Sequence, residues 1–203
     1  MRAVPEPMPH RRALLLLPLL AACAGEEAAS PVAGLPPGPI EYKHLTPLPF
    51  KVAVVEVTPT VPVAGPDDIG ARLRPTPLDA MRTMARDRLV AAGTTGQASF
   101  TIGQAAMVQT AGTLHCLLGC RLDIFDAEGQ PRGHIEAAAR RSRSGAQADR
   151  PETAALLLRE TMDDLNVEFE FQIRRVLKDW LVQASPSEGV MPAQVEQEEL
   201  PKS

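Results

Sequence analysis

The stretch "TLHCLLGCRLDIF", residues 113–125, constrains this chain more than any other. Leu114, Cys116, Leu118, Cys120, Leu122 and Ile124 fall on one parity, and His115, Leu117, Gly119, Arg121, Asp123 and Phe125 fall on the other. Side chains alternate across a strand, so the pattern predicts a long strand with one apolar face. Such a face has to be buried against a second layer. Residues 149–182, "DRPETAALLLRETMDDLNVEFEFQIRRVLKDWLV", supply that layer. Leu158, Met162, Leu165, Phe169, Ile173, Val176 and Trp180 step by three or four, which is the spacing of one stripe along a helix. Asp149 and Glu152 stand in capping-box relation at its start, with Pro151 in the first turn. Most of the large apolar side chains lie on this stripe, so the helix is the main cover of the sheet.

The other elements fit around this pair. "FKVAVVEV", Phe50 to Val57, is short, β-branched and nearly all apolar, as a strand buried in a sheet would be. "TPLDAMRTMARDRLVAAG" predicts a helix with Thr76 as N-cap, Pro77 at the first helical position and Gly93 as C-cap. Its apolar stripe is Leu78, Met81, Ala85, Leu89 and Ala92, with Arg82, Arg86 and Asp87 outside. "ASFTIGQAAMVQT" alternates with Phe100, Ile102, Ala106 and Val108 on one face, and Gln104 breaks the pattern. The opposite, wet face of the sheet carries Thr101, Gly103, Ala105, His115, Gly119, Glu136 and Ala138. After the turn "DAEGQ", "GHIEAAARR" returns as a strand with Ile135, Ala137 and Ala139 on a single face. The expected fold class is therefore α/β in the α+β sense. It is a two-layer domain over residues 50–183, a mixed sheet of about four strands covered on one face by two helices, in the order β-α-β-β-β-α. The connection 58–76, "TPTVPVAGPDDIGARLRPT", is long for a compact domain, and loops of that length are commonly functional. Val63, Ile69 and Leu73 are its candidates for touching a partner.

The chain ends give an address. Arg2, Arg11 and Arg12 precede an apolar run, Ala13 to Leu20, that is about half the length a spanning helix needs. Leu20-Ala21-Ala22-Cys23 follows directly, and it resembles the lipobox of bacterial lipoproteins. The resemblance implies a signal peptide over residues 1–22 and diacylglyceryl and acyl chains on Cys23 as the new N-terminus. Several such chains hold a protein stably on a bilayer. Ala24 after the cysteine implies the outer membrane, facing the periplasm. Ala22-Cys23-Ala24 also satisfies the rule for ordinary secretion, which would give a soluble periplasmic or secreted protein instead. Residues 23–49 are rich in Pro, Gly and Ala and are read as a disordered tether. Residues 184–203 are acidic and turn-rich and are read as a disordered tail.

Few residues carry chemistry. His115, Cys116 and Cys120 offer soft ligands, but strand parity turns His115 away from both thiols, so no metal is expected. Four residues along a strand span about 13 Å, too far for a disulfide between Cys116 and Cys120. Both are read as buried hydrophobes. Asp163, Asp164, Glu168 and Glu170 interleave with the helix stripe as its wet side. Nucleophile elbows, triad signatures and phosphate loops are missing, so neither catalysis nor a cofactor is expected. Arg140, Arg141 and Arg143, with Arg132 nearby, are the densest charge and suit anionic lipid headgroups. Removing residues 1–22 leaves 18 of the 21 basic side chains against 24 of the 25 acidic ones, which argues against a nucleic-acid partner. The whole resembles, in architecture and address, small lipoproteins of envelope assembly and the auxiliary lipoproteins of lipid-moving ABC transporters. That resemblance implies a membrane-anchored scaffold with an envelope protein as partner, or alternatively a lipid-handling accessory protein.

Overall fold

The computed structural model of the protein describes residues 39–61 and 65–182, all within the unit Leu35–Ser203. In chain order these form β1 (Leu48–Phe50), β2 (Val54–Pro59), α1 (Pro77–Arg88), β3 (Leu89–Ala91), β4 (Gln97–Thr110), β5 (Thr113–Phe125), β6 (Pro131–Ser144) and α2 (Pro151–Val176). A four-stranded sheet runs β2-β4-β5-β6, and β1 and β3 form a small sheet of their own. β2 pairs with β4 in parallel across the α1 crossover, while β4, β5 and β6 are antiparallel. This is the expected α+β architecture, a mixed sheet with both helices on one face.

β5 keeps its alternation for all thirteen residues, with the six even positions buried and the odd ones half-buried. Ile135 and Ala137 of β6 join the buried face. α2 lies across it, burying Leu158, Met162, Leu165, Phe169 and Ile173. The rings of Phe169 and Phe100 meet edge to face at 5.5 Å. Each large side chain buried in this way contributes about 1.5–3 kcal/mol.

β4 departs from the expected parity at one place. The register slips between Ile102 and Gln104, so Gly103 is the extra residue of a β-bulge. Before it, Ala98, Phe100 and Ile102 face the core; beyond it, Met107 is buried and Ala105 packs on the core. Ala106 and Val108, expected inside, are therefore carried to the open face, and Ala105 moves the other way.

α1 begins as expected, with the Thr76 hydroxyl accepting from the Asp79 N–H at 3.1 Å. It ends at Arg88, four residues before the expected stop, because Leu89–Ala91 pair with β1. Gly93 serves close packing: a Cβ there would lie 2.4 Å from the Lys51 carbonyl carbon. The expected single strand Phe50–Val57 is interrupted at residues 51–53, so β1 and β2 belong to different sheets, and β2 is an exposed edge strand. α2 ends at Val176, which is exposed, and Trp180 lies in a 3₁₀ turn, Lys178–Trp180. Its expected capping box does not form, because Asp149 instead accepts from Gln109 Nε2 at 3.0 Å.

The domain also starts before Phe50. Ile40, Tyr42 and Leu48, placed in the tether by their Pro-rich surroundings, are buried in the core. The Tyr42 N–H donates to Asp87 of α1 at 3.1 Å. At the other end the Val182 N–H donates to the Pro49 carbonyl and Leu181 bridges to Phe50, so the chain returns beside β1. The signal peptide, Cys23, the tether up to residue 38 and the tail 184–203 lie outside the described residues.

Candidate functional site

The long connection between β2 and α1 folds back on β4. β2 stops at Pro59, opposite Ile102, and the Thr60 N–H donates to the Ile102 carbonyl at 2.8 Å. The chain regains the same edge further along: the Ile69 N–H donates to the Met107 carbonyl at 2.8 Å, and the Gln109 N–H to the Asp67 carbonyl at 2.9 Å. Asp68 fixes this return, since its Oδ1 accepts from the Gly70 N–H at 2.8 Å and from the Met107 N–H at 3.1 Å. Ile69 and Leu73, expected to be free for a partner, are half-buried against the core. Val63 lies outside the described residues.

Between these attachments, among the described residues, the β4 edge makes no backbone hydrogen bond to the connection from Gly103 to Ala106. A groove of about 550 Å³ opens there. Val61, Pro66, Leu78, Ala106, Val108 and Leu117 form apolar walls, with Gln104 and Asp67 as polar margins. The bulge is what builds it: Gly103 turns Ala106 and Val108 out of the core to face the groove. Gln104 breaking the alternation was the one trace of this in the sequence.

The arginine cluster is divided by strand parity. Arg141 and Arg143 share a parity with Ile135, Ala137 and Ala139 and meet α2. Arg141 donates to Asp164 at 2.9 Å, and Arg143 to Glu160 at 2.7 Å. Arg140 is on the open face, and Arg132 pairs with Asp126 at 3.1 Å. The guanidinium of Arg141 beside it holds the Asp164 carboxyl below its ordinary value.

The acids expected as a wet face have partners too. Glu170 binds Arg88, whose side chain is 1% exposed, and accepts from Arg174 at 2.7 Å. Burial opposes ionisation of Glu170, but the hydrogen bonds from Arg88 and Arg174 outweigh it and hold the carboxyl below its ordinary value. Tyr42 and Asn166 are also buried in the described core, and burial drives the Tyr42 phenol well upward. Asp163 remains exposed, with its carboxyl raised by partial burial. Arg88 went unread although the sequence marks it: Met81, Met84, Ala85 and Arg88 are spaced as one helix face.

Cys116 and Cys120 are free and buried. Burial pushes their thiols up to about 11 and about 12, so neither is a nucleophile at neutral pH. His115 lies on the opposite face of β5. Among the described residues no group of His, Cys, Asp and Glu is placed to hold a metal, and no helix is long and apolar enough to cross a membrane.

No family model and no curated protein matches the chain. Among solved structures, a Xanthomonas campestris protein of the DUF330 family is 8% identical, with a TM-score of 0.39 over 68% of this chain and 92% of its own. A minor lipoprotein from Acinetobacter baumannii is 17% identical, with a TM-score of 0.33 over 69% and 100%. A lipoprotein from Neisseria meningitidis is 11% identical, with a TM-score of 0.27 over 55% and 96%. Likenesses this loose carry no argument about fold or role, which rest on the residues of the chain itself.

Proposed function

We propose that the protein is a non-catalytic accessory of the bacterial cell envelope, held on the outer membrane by lipid on Cys23, whose domain holds an extended segment of a protein partner. The observation that carries this reading is the groove on β4. A strand edge that no described residue pairs, set between apolar walls, is what strand addition uses: backbone groups supply affinity, and the flanking pockets select side chains. A sheet edge and the long proline-rich connection, the segment the sequence offers for touching a partner, meet at this one place. The lipid-headgroup alternative loses two of its three arginines to Glu160 and Asp164.

Photo-crosslinking in intact cells tests the proposal. A photoreactive residue at Leu78 or at Val108 is expected to give the same discrete protein adduct, and one at Glu128, in the exposed turn before β6, to give none. Equal adducts at all three positions, or none at the two groove positions, would remove the docking role.

A further inference from the structure

The solvent side of α2 has an apolar centre with opposite charges at its two ends. Val167 is 67% exposed and Phe171 56%, among the most exposed large apolar side chains described. Helix positions turn by about 100° each, so Asp163, Asp164, Val167, Phe171, Arg174 and Arg175 occupy about one third of the circumference. Along the axis the order is acidic, apolar, basic.

This order makes the stripe its own complement when it is turned end for end. About a point midway between Val167 and Phe171, Val167 layers with Phe171 of a second copy, and on the two sides of that seam Asp163 meets Arg174 and Asp164 meets Arg175. Parallel packing would instead stack acid on acid and base on base. We infer that this face of α2 is the interface of a two-fold dimer, in which it packs antiparallel on α2 of a second copy of this chain. A two-fold interface requires one patch to recognise itself, which this arrangement allows.

The charges are already in place for it. Arg175 lies over the Phe171 ring, 5.6 Å from its centroid, which holds a guanidinium against the apolar centre. Asp164 is held by Arg141, and Arg174 by Glu170. A carboxylate accepts several donors, so a second arginine across the interface extends these pairs into networks without breaking them. An anionic bilayer is the poorer occupant, because Asp163 and Asp164 flank the apolar centre and would be repelled by it.

Two measurements on the full chain decide the matter. In sedimentation, the wild type is expected at the mass of two chains, and Phe171→Glu is expected to halve it. Val54→Glu, at an exposed apolar position on β2, should leave it unchanged. In oxidative crosslinking, the double variant Asp164→Cys with Arg175→Cys is expected to give a covalent dimer, with Cys116 and Cys120 remaining buried and silent. Asp164→Cys alone should not. A wild type at the mass of one chain, a Phe171→Glu variant that stays at two, or self-crosslinking of Asp164→Cys alone would each overturn the inference. So would loss of binding to phosphatidylglycerol vesicles in Phe171→Glu with the mass at one chain throughout.

Discussion

α2 meets arginines on two flanks, and the two sets differ in burial more than in chemistry. Over β6, Arg143 pairs with Glu160 and Arg141 with Asp164, with 41% and 39% of the arginine side chains exposed. Toward α1, Arg88 has 1% exposed and pairs with Glu170. An exposed ion pair is screened by solvent and adds little to stability. A buried guanidinium has lost its hydration, so it destabilises the fold severely if its carboxylate is removed. The β6 flank is therefore a rim, and the α1 flank is a lock that fixes how the two helices sit on the sheet.

The largest effect should come from breaking the lock on one side. Glu170→Ala leaves Arg88 buried without its carboxylate and should lower stability by about 3 kcal/mol, read from the urea midpoint. Arg88→Met removes the buried charge itself and leaves Glu170 with Arg174 and solvent, so it should cost less than half as much. Equal costs would mean that Arg88 contributes mainly packing, and the contrast between flanks would lose its basis.

Acid should weaken both flanks. Asp164 and Glu170 have folded carboxyls below their ordinary values, so the stability they contribute is complete above about pH 4.5 and is lost as pH falls through the folded values. Asp163 is raised, so its unfavourable contribution at neutral pH fades on acidification and opposes the loss. Urea midpoints at pH 7 and at about pH 3 should therefore differ, and Glu170→Gln should shrink that difference. An unchanged difference in Glu170→Gln would assign the acid sensitivity to other groups.

At the rim, Arg141→Ala should shift the midpoint only slightly, and high salt should erase the shift. High salt should leave the Glu170→Ala loss almost intact. The smallest signal is expected from the dry face between the flanks: Cys116 and Cys120 should not react with maleimide until the protein unfolds. Rapid native labelling of either would place it outside the core.

How far the fold was legible follows the range of the interactions involved. β5 was readable because parity is a local rule, and Leu114 to Ile124 obey it without a break. The α2 stripe was readable for the same reason from Leu158 to Ile173, but Val176 runs past the sheet that would have covered it. Gly93 resembles a C-cap, yet the contact that requires glycine comes from Lys51, forty-two positions away. Ile40 and Tyr42 show no period, because they are single anchors dropped into a core built by other segments. Splitting Arg140 from Arg141 and Arg143 needed only the parity already applied to Ile135 and Ala137. The groove was not legible, because it depends on where the bulge at Gly103 sends Ala106 and Val108 and on where the proline-rich connection returns.

The central claim, that this domain works while held on a membrane by Cys23, is tested most directly by growing an expressing bacterium on an alkyne-tagged fatty acid and fractionating it. The account predicts label on the full protein and its recovery with outer membranes, both lost in Cys23→Ser. Label retained in Cys23→Ser, or an unlabelled wild type in the soluble fraction, would contradict it.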